Sequence, residues 1–190
     1  RERVFWAYAT CQALGVGAFY IFLTGAPFVA VTLFGLSAAQ VGVGLGSITG
    51  GFMLGAAVSA RLVRRTGPMP LILAGRILPL TVLSAGWIYF TLGGDQVLIL
   101  FAATLSVGLG NGLTLANANA GALSVRPRLA GTAAGVAGAL ALIIGAVLTT
   151  LATALLSIAA TPERLLSLMI LAMLGSFMAA LLARRLERGR

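Results

Sequence analysis

The polar side chains best placed to do chemistry lie within the long apolar stretch between residues 96 and 125. A carboxamide in hydrocarbon is costly unless it is hydrogen-bonded or faces water, so each one needs a partner or a cavity. The chemistry that such groups offer is recognition by hydrogen bonds. At 100° per residue, one arc of a helix would hold Thr104, Asn111, Thr114 and Asn119. A different face would hold Ser106, Asn117 and Ser124. We expect one face to line a cavity and the other to form hydrogen bonds with a neighbouring helix. The pattern does not distinguish which face has which role.

Depth along the apolar segments selects further candidates for a binding site. Counted at about 1.5 Å per residue, Tyr20 and Asn111 lie near the middle of their segments, where transporter sites are found. The complete set of candidate substrate-binding residues is Gln12, Tyr20, Asn111, Thr114, Asn117 and Asn119. For each of them, an interhelical hydrogen bond without a substrate is an equally open interpretation.

Catalysis and metal binding are not expected. The chain has no His, and its four acidic residues are scattered at Glu2, Asp95, Glu163 and Glu187. Neither a metal cluster nor a His-based triad can be assembled from these residues, so we predict no enzyme activity, no metal and no cofactor. The single cysteine, Cys11, cannot form an internal disulfide.

The composition indicates a membrane protein. Of 190 residues, 59% are hydrophobic and 9% are charged, far from the roughly 25% charged residues of soluble domains. The apolar blocks meet the length of about 20 residues that a transmembrane helix needs. We predict an all-α bundle over residues 1–190, with spans at about 4–34, 38–63, 71–92, 96–125, 129–158 and 163–183.

Local signals mark the ends of these spans. Ser37 followed by Gln40 predicts a capping box at the start of the second span. The segment 64–70 combines two arginines, a glycine and two prolines, which predicts a turn outside the hydrocarbon. Thr161-Pro162-Glu163 predicts the N-cap, first residue and first-turn acid of the sixth span.

The basic residues predict the orientation in the membrane. With six spans, a single face would hold Arg1, Arg3, Arg61, Arg64, Arg65, Arg76, Arg126, Arg128, Arg184, Arg185, Arg188 and Arg190. Only Arg164 falls on the other face, so the positive-inside rule places both termini in the cytoplasm. The same rule explains the net charge of +9, so no nucleic-acid partner is expected. Arg76 lies close to the predicted start of the third span, and we expect it to extend toward the cytoplasmic interface.

Glycines recur every four residues in two spans. The second span carries Gly42, Gly46 and Gly50, beside a second row at Gly51, Gly55 and Ser59. The fifth span carries Gly131 and Gly135. Such rows let helices approach closely, either within the bundle or as a seam against another unit.

The spans also differ in character in an order that repeats. The first and fourth are long and polar, the second and fifth are glycine-rich, and the third and sixth are shorter and plainer. This order is typical of a three-plus-three inverted repeat, the building unit of many secondary transporters.

Two segments carry a resemblance to a known family. The residues from Gly55 to Gly67, with Arg61, Arg64 and Arg65, resemble the loop motif between the second and third helices of a major-facilitator half, with Ser59 in place of the usual Asp. The residues from Gly108 to Gly135 resemble the fourth and fifth helices of the C-terminal half of Bcr/CflA-type multidrug effluxers. Pro27-Phe28-Val29 followed by Ser37-Ala-Ala-Gln40 resembles the join of that half's first two helices.

The resemblance implies a C-terminal six-helix half of a secondary transporter in the bacterial inner membrane. It implies alternating access against an N-terminal six-helix partner or a second copy, with a small drug-like molecule leaving in exchange for protons. Membrane lipid would surround the bundle. Because no Met precedes Arg1, the chain is expected to be an excised half, or the ordered portion of one. The alternatives are a membrane scaffold that transports nothing and a homodimeric half-transporter that acts as a facilitator.

Overall fold

The computed structural model describes residues 2–189, which form six α-helices and no strand. The helices are α1 (Glu2–Phe34), α2 (Ala38–Thr66), α3 (Pro68–Thr91), α4 (Val97–Ser124), α5 (Ala130–Ile158) and α6 (Pro162–Arg188). All six are long and apolar enough to cross a membrane. The predicted all-α, six-helix bundle is therefore confirmed for this part of the chain, and its helices have the length and composition of membrane spans.

Two of the predicted helix starts have the capping geometry that their sequences indicate. At Ser37 the side chain accepts from the backbone N–H of Gln40, and the Gln40 side chain accepts from the backbone N–H of Ser37. At Thr161 the hydroxyl accepts from the backbone N–H of Arg164. Each cap satisfies amide groups that the first helical turn would otherwise leave unpaired.

The predicted turn at residues 64–70 is shorter than expected. Helix α2 continues through Arg64 and Arg65 to Thr66, and α3 begins at Pro68, so Gly67 alone separates them. Gly67 has a φ of 78°, a value that glycine adopts without steric cost. Pro68 fits the first helical position because its missing N–H has no partner there in any case.

Helices α1 and α4 form the centre of the bundle and contact each other. Helix α1 packs mainly against α5 and α6, whereas α4 packs mainly against α2 and α3. Helices α3 and α6 also contact each other. The two central helices thus each carry two outer helices.

Small residues set the close packing between α2 and α4. A Cβ atom added at Gly55 would lie 2.2 Å from the backbone oxygen of Leu109, and one at Gly108 would lie 2.1 Å from that of Ile48. No side chain fits in these gaps, so the two backbones are in direct contact. The inner glycine row of α2 therefore packs within the bundle.

The buried apolar side chains form two separate clusters along the bundle axis. One cluster includes Phe22, Leu83 and Val107, and the other includes Tyr8 and Ile72. In α1, α3, α4 and α6 alike, the residues between the two clusters include small or polar ones, which are Gly15, Arg76, Asn111 and Ser176. A polar layer therefore separates two apolar cores.

Candidate functional site

The polar layer is centred on Arg76 of α3. Its side chain is 0% exposed. One terminal nitrogen, Nη1, donates to Oδ1 of Asn111 on α4 at 2.8 Å and lies 3.7 Å from the sulfur of Met173 on α6. The other two nitrogens, Nε and Nη2, are buried and have no hydrogen-bond partner among the described residues. The guanidinium therefore keeps unused donors inside the bundle.

Gly15 of α1 makes the room that the guanidinium occupies. A Cβ atom at this position would lie 2.5 Å from Nη1 and 2.7 Å from Cζ of Arg76. The planar group therefore lies directly against the α1 backbone. The carbonyl oxygen of Gly15 also accepts from Nδ2 of Asn111 at 3.0 Å. Gly15 thus contacts both Arg76 and Asn111.

The expectation that Arg76 extends to the cytoplasmic interface is wrong. Its Cα lies eight residues after the start of α3, about 12 Å along the helix. The side chain reaches Asn111 and Gly15, which each lie 13 residues, about 20 Å, from the helix ends at Ser124 and Glu2. Between Arg76 and the nearer end of the bundle, where α1 and α3 begin, lies the apolar cluster around Tyr8 and Ile72. The acceptor that Arg76 binds and the space beside Gly15 both lie deeper in the bundle.

No carboxylate neutralises Arg76 within the described chain. The exposed Glu2 pairs with Arg126 at 2.9 Å. Glu187, near the end of α6, accepts a hydrogen bond from the Tyr8 hydroxyl at 2.5 Å. Asp95 is exposed in the α3–α4 loop, and Glu163 lies in the first turn of α6. All four acids therefore lie at the helix ends.

Asn111, which binds Arg76, also lines a cleft of about 270 Å³ to which Arg76 itself does not contribute. Helices α1, α2 and α4 line it, and Thr49 and Phe52 are exposed at its rim. Its lining consists of Val16, Phe19, Ile48, Thr49, Phe52, Gly108, Asn111 and Leu115. The walls are apolar apart from Thr49 and Asn111. Asn111 is therefore the residue that joins the buried charge to the cleft.

Two other candidate residues of α4 form hydrogen bonds between helices. Nδ2 of Asn117 donates to the Ser59 hydroxyl of α2 at 2.7 Å, and the Ser59 hydroxyl donates to Leu113 O at 3.4 Å. The Thr114 hydroxyl donates to the carbonyl oxygen of Ile72 on α3 at 3.5 Å. Neither Asn117 nor Thr114 lines the cleft. The structure thus brings Asn111 alone of these three to the cleft.

The remaining candidate residues lie apart from the cleft lining. The Tyr20 ring lies over Gly145 of α5, where a Cβ atom would be 2.5 Å from the ring. Gln12 and Asn119 are half-buried, and Oε1 of Gln12 has no partner among the described residues. Helices α1 and α4 do share a cleft, but α1 contributes Val16 and Phe19 rather than Tyr20. The ring of Phe19 carried no polar signal that could have selected it.

The outer glycine rows lie on the surface of the bundle. A Cβ atom at Gly42, Gly46, Gly50, Gly131 or Gly135 would meet no atom within 4 Å. These rows therefore do not pack against another helix of the described chain. A seam against another unit stays a prediction.

The loop-motif residues divide between buried and exposed positions. Gly55 and Ser59 are buried against α4, and Gly67 forms the turn. Arg61, Arg64 and Arg65 are exposed. Arg126, two residues after the end of α4, pairs with Glu2 at the start of α1, so these two helix ends lie at the same end of the bundle. Arg1 and Arg190, which the orientation argument also used, lie outside the described residues.

Comparison with known proteins adds no relative: no family model, no curated protein and no solved structure matches this chain.

Proposed function

We propose that this bundle is one half of a secondary active transporter that works by alternating access. The substrate is a small organic molecule, and it binds in the cleft between α1, α2 and α4. The observation that carries the proposal is this cleft, which ends on Asn111 at mid-bundle with an unneutralised cation directly behind it. A bundle that served only as a scaffold would have no need of a buried charge beside an open cleft.

The packing order of the helices supports an inverted repeat. Suppose that α1, α2 and α3 are exchanged with α4, α5 and α6, respectively. The α1–α5 contact then becomes α4–α2, and the α1–α6 contact becomes α4–α3, and both of these contacts are present. The exchange leaves the α1–α4 and α3–α6 contacts unchanged. Three helices per repeat reverse the direction of the second copy relative to the membrane. This is the symmetry on which rocking-bundle transporters are built.

The exposed glycine rows of α2 and α5 support a companion bundle. Rows of small residues at four-residue spacing let a second set of helices approach closely in lipid. The companion is an N-terminal six-helix half or a second copy of this chain. The resemblance to Bcr/CflA-type effluxers favours the former, in a bacterial inner membrane with both termini in the cytoplasm. Coupling to protons would then reside in the companion, since this chain has no His and its four acids lie at the ends of the helices or in a loop.

Accessibility of the cleft from both sides of the membrane tests the proposal. Thr49→Cys and Leu115→Cys, each in a Cys11→Ala background, should react with a membrane-impermeant maleimide in both right-side-out and inside-out vesicles. Val107→Cys, at a fully buried position on the same helix as Leu115, is the matched control and should stay unreacted. Reaction from one side only, or from neither, would reject alternating access and favour the scaffold.

A further inference from the structure

We propose that the substrate of the α1–α2–α4 cleft is an organic anion with an apolar body, and that Arg76 acting through Asn111 selects the anion. The inference deepens the proposed function by naming its substrate class. It starts from a charge that the chain itself does not balance. Arg stays protonated at any physiological pH, so Arg76 cannot lose its charge to suit an apolar environment.

A counter-charge for Arg76 has to come from outside this chain. All four carboxylates lie at helix ends, and two of them are already engaged by Arg126 and Tyr8. A second copy of the chain would supply none at mid-bundle either, because its acids lie at the same helix ends. An isolated charge in a low-dielectric medium strongly attracts an opposite charge, because little water screens it.

Asn111 transmits this preference to the cleft. Its Oδ1 accepts from Arg76, which polarises the amide and strengthens its N–H groups as donors. One Nδ2 hydrogen goes to Gly15 O, and no acceptor for the other is found among the described residues. A carboxylate or sulfonate in the cleft would accept this hydrogen and lie on the near side of the guanidinium.

The walls of the cleft define the rest of the ligand. Phe19 and Phe52 contribute aromatic faces, and Ile48 and Leu115 contribute aliphatic surface. A volume of about 270 Å³ suits a single aromatic ring with a short substituent. Small aromatic carboxylates therefore match both the charge and the walls.

Equilibrium binding to the 190-residue chain in lipid nanodiscs tests the inference. Benzoate and its neutral isostere benzamide have nearly the same shape, so their affinity ratio reports the charge preference. We expect benzoate to bind at least about tenfold more tightly, because its contacts are charge-assisted. Arg76→Gln should abolish this ratio, and Arg76→Lys should retain part of it. Arg128→Gln removes an exposed arginine at the end of the bundle and should change nothing.

A variant at the rim of the cleft keeps the test decisive if Arg76→Gln does not fold. Thr49→Trp leaves the polar layer untouched and fills the exposed rim, so it should prevent benzoate binding. Equal affinities for benzoate and benzamide, or benzoate binding unaffected by Thr49→Trp, would overturn the inference. Cysteine labelling from one side only, with the benzoate preference intact, would instead reject the transporter and keep the anion site.

Discussion

Replacing Asn111 and replacing Arg76 have different consequences, because only the first leaves a buried charge without its acceptor. Asn111→Leu deprives a buried cation of its one oxygen acceptor among the described residues. We expect a loss of about 2–4 kcal/mol in the free energy of unfolding, since an unpaired buried charge is strongly destabilising. Arg76→Met removes the charge itself and should stay within about 1 kcal/mol of the parent. Unfolding in mixed micelles, followed by helical circular dichroism, measures both values.

The double variant separates this explanation from a simple packing defect. Once Arg76→Met has removed the cation, Asn111→Leu no longer strands a charge, so the double variant should be more stable than Asn111→Leu alone. The coupling should exceed about 1 kcal/mol, as in other contacting pairs of one polar network. Strictly additive effects would show that Asn111 matters only for its shape and its bond to Gly15.

The direction of the Arg76 side chain illustrates what residue-level pattern reading misses. Position along α3 predicts an arginine that reaches the nearest interface. The actual direction depends on three other helices: Gly15 of α1 leaves a space, Asn111 of α4 supplies an acceptor, and Met173 of α6 completes the wall. Those helices are remote in sequence, so no local signal could contain this information. The sequence does place Gly15 and Asn111 at similar depths, each 13 residues from a helix end, which is consistent with a shared site.

At the scale of the helix, the two glycine rows of α2 have different surroundings. Gly55→Ala would place a Cβ atom 2.2 Å from a backbone oxygen of α4, and backbone cannot move aside as a flexible side chain can. We expect it to cost about 1–3 kcal/mol, as overpacking does. Gly46→Ala meets no atom within 4 Å and should raise stability by about 0.5–1 kcal/mol, because alanine favours the helix more than glycine does.

The exposed position Gly46 also allows a test of the proposed contact, or seam, with a companion bundle. Gly46→Leu should not lower the stability of the 190-residue chain and yet should prevent its association with a companion bundle, measured by crosslinking in the membrane. If Gly46→Leu unfolds the isolated chain, then the outer row packs inside the bundle after all. If association is normal, then the outer row of α2 is not the seam.

The helices themselves could largely be predicted, because their determinants are local. Apolar length indicates the six helices, and hydrogen bonds within three residues define the caps at Ser37 and Thr161. The turn at Gly67 is shorter than the sequence predicts, because charged residues can extend a helix beyond the hydrocarbon and α2 therefore continues through Arg64 and Arg65. Which glycine row faces inward could not be predicted, since both rows have the same spacing and only the partner α4 distinguishes them.

At the scale of the whole molecule, we expect this chain on its own not to couple transport to protons. Coupling needs a group that titrates inside the membrane, and carboxylates or His are the usual carriers. The chain has no His, its acids lie at helix ends, and the charge at its centre is an arginine, which does not deprotonate. A pH gradient therefore has no group within the bundle on which to act.

Liposomes containing the 190-residue chain, with an imposed pH gradient and benzenesulfonate as the probe, provide the measurement. A sulfonate stays charged at every pH used, so it cannot accumulate by crossing the lipid as a neutral acid. We expect the internal concentration to reach only the level set by the membrane potential, with or without the gradient, and Arg76→Gln to slow any exchange that occurs. Accumulation beyond that level, abolished when an ionophore collapses the pH gradient, would contradict the prediction. It would require a proton-carrying group other than the four acids, since the fixed charge of Arg76 can attract an anion but cannot release a proton to drive it.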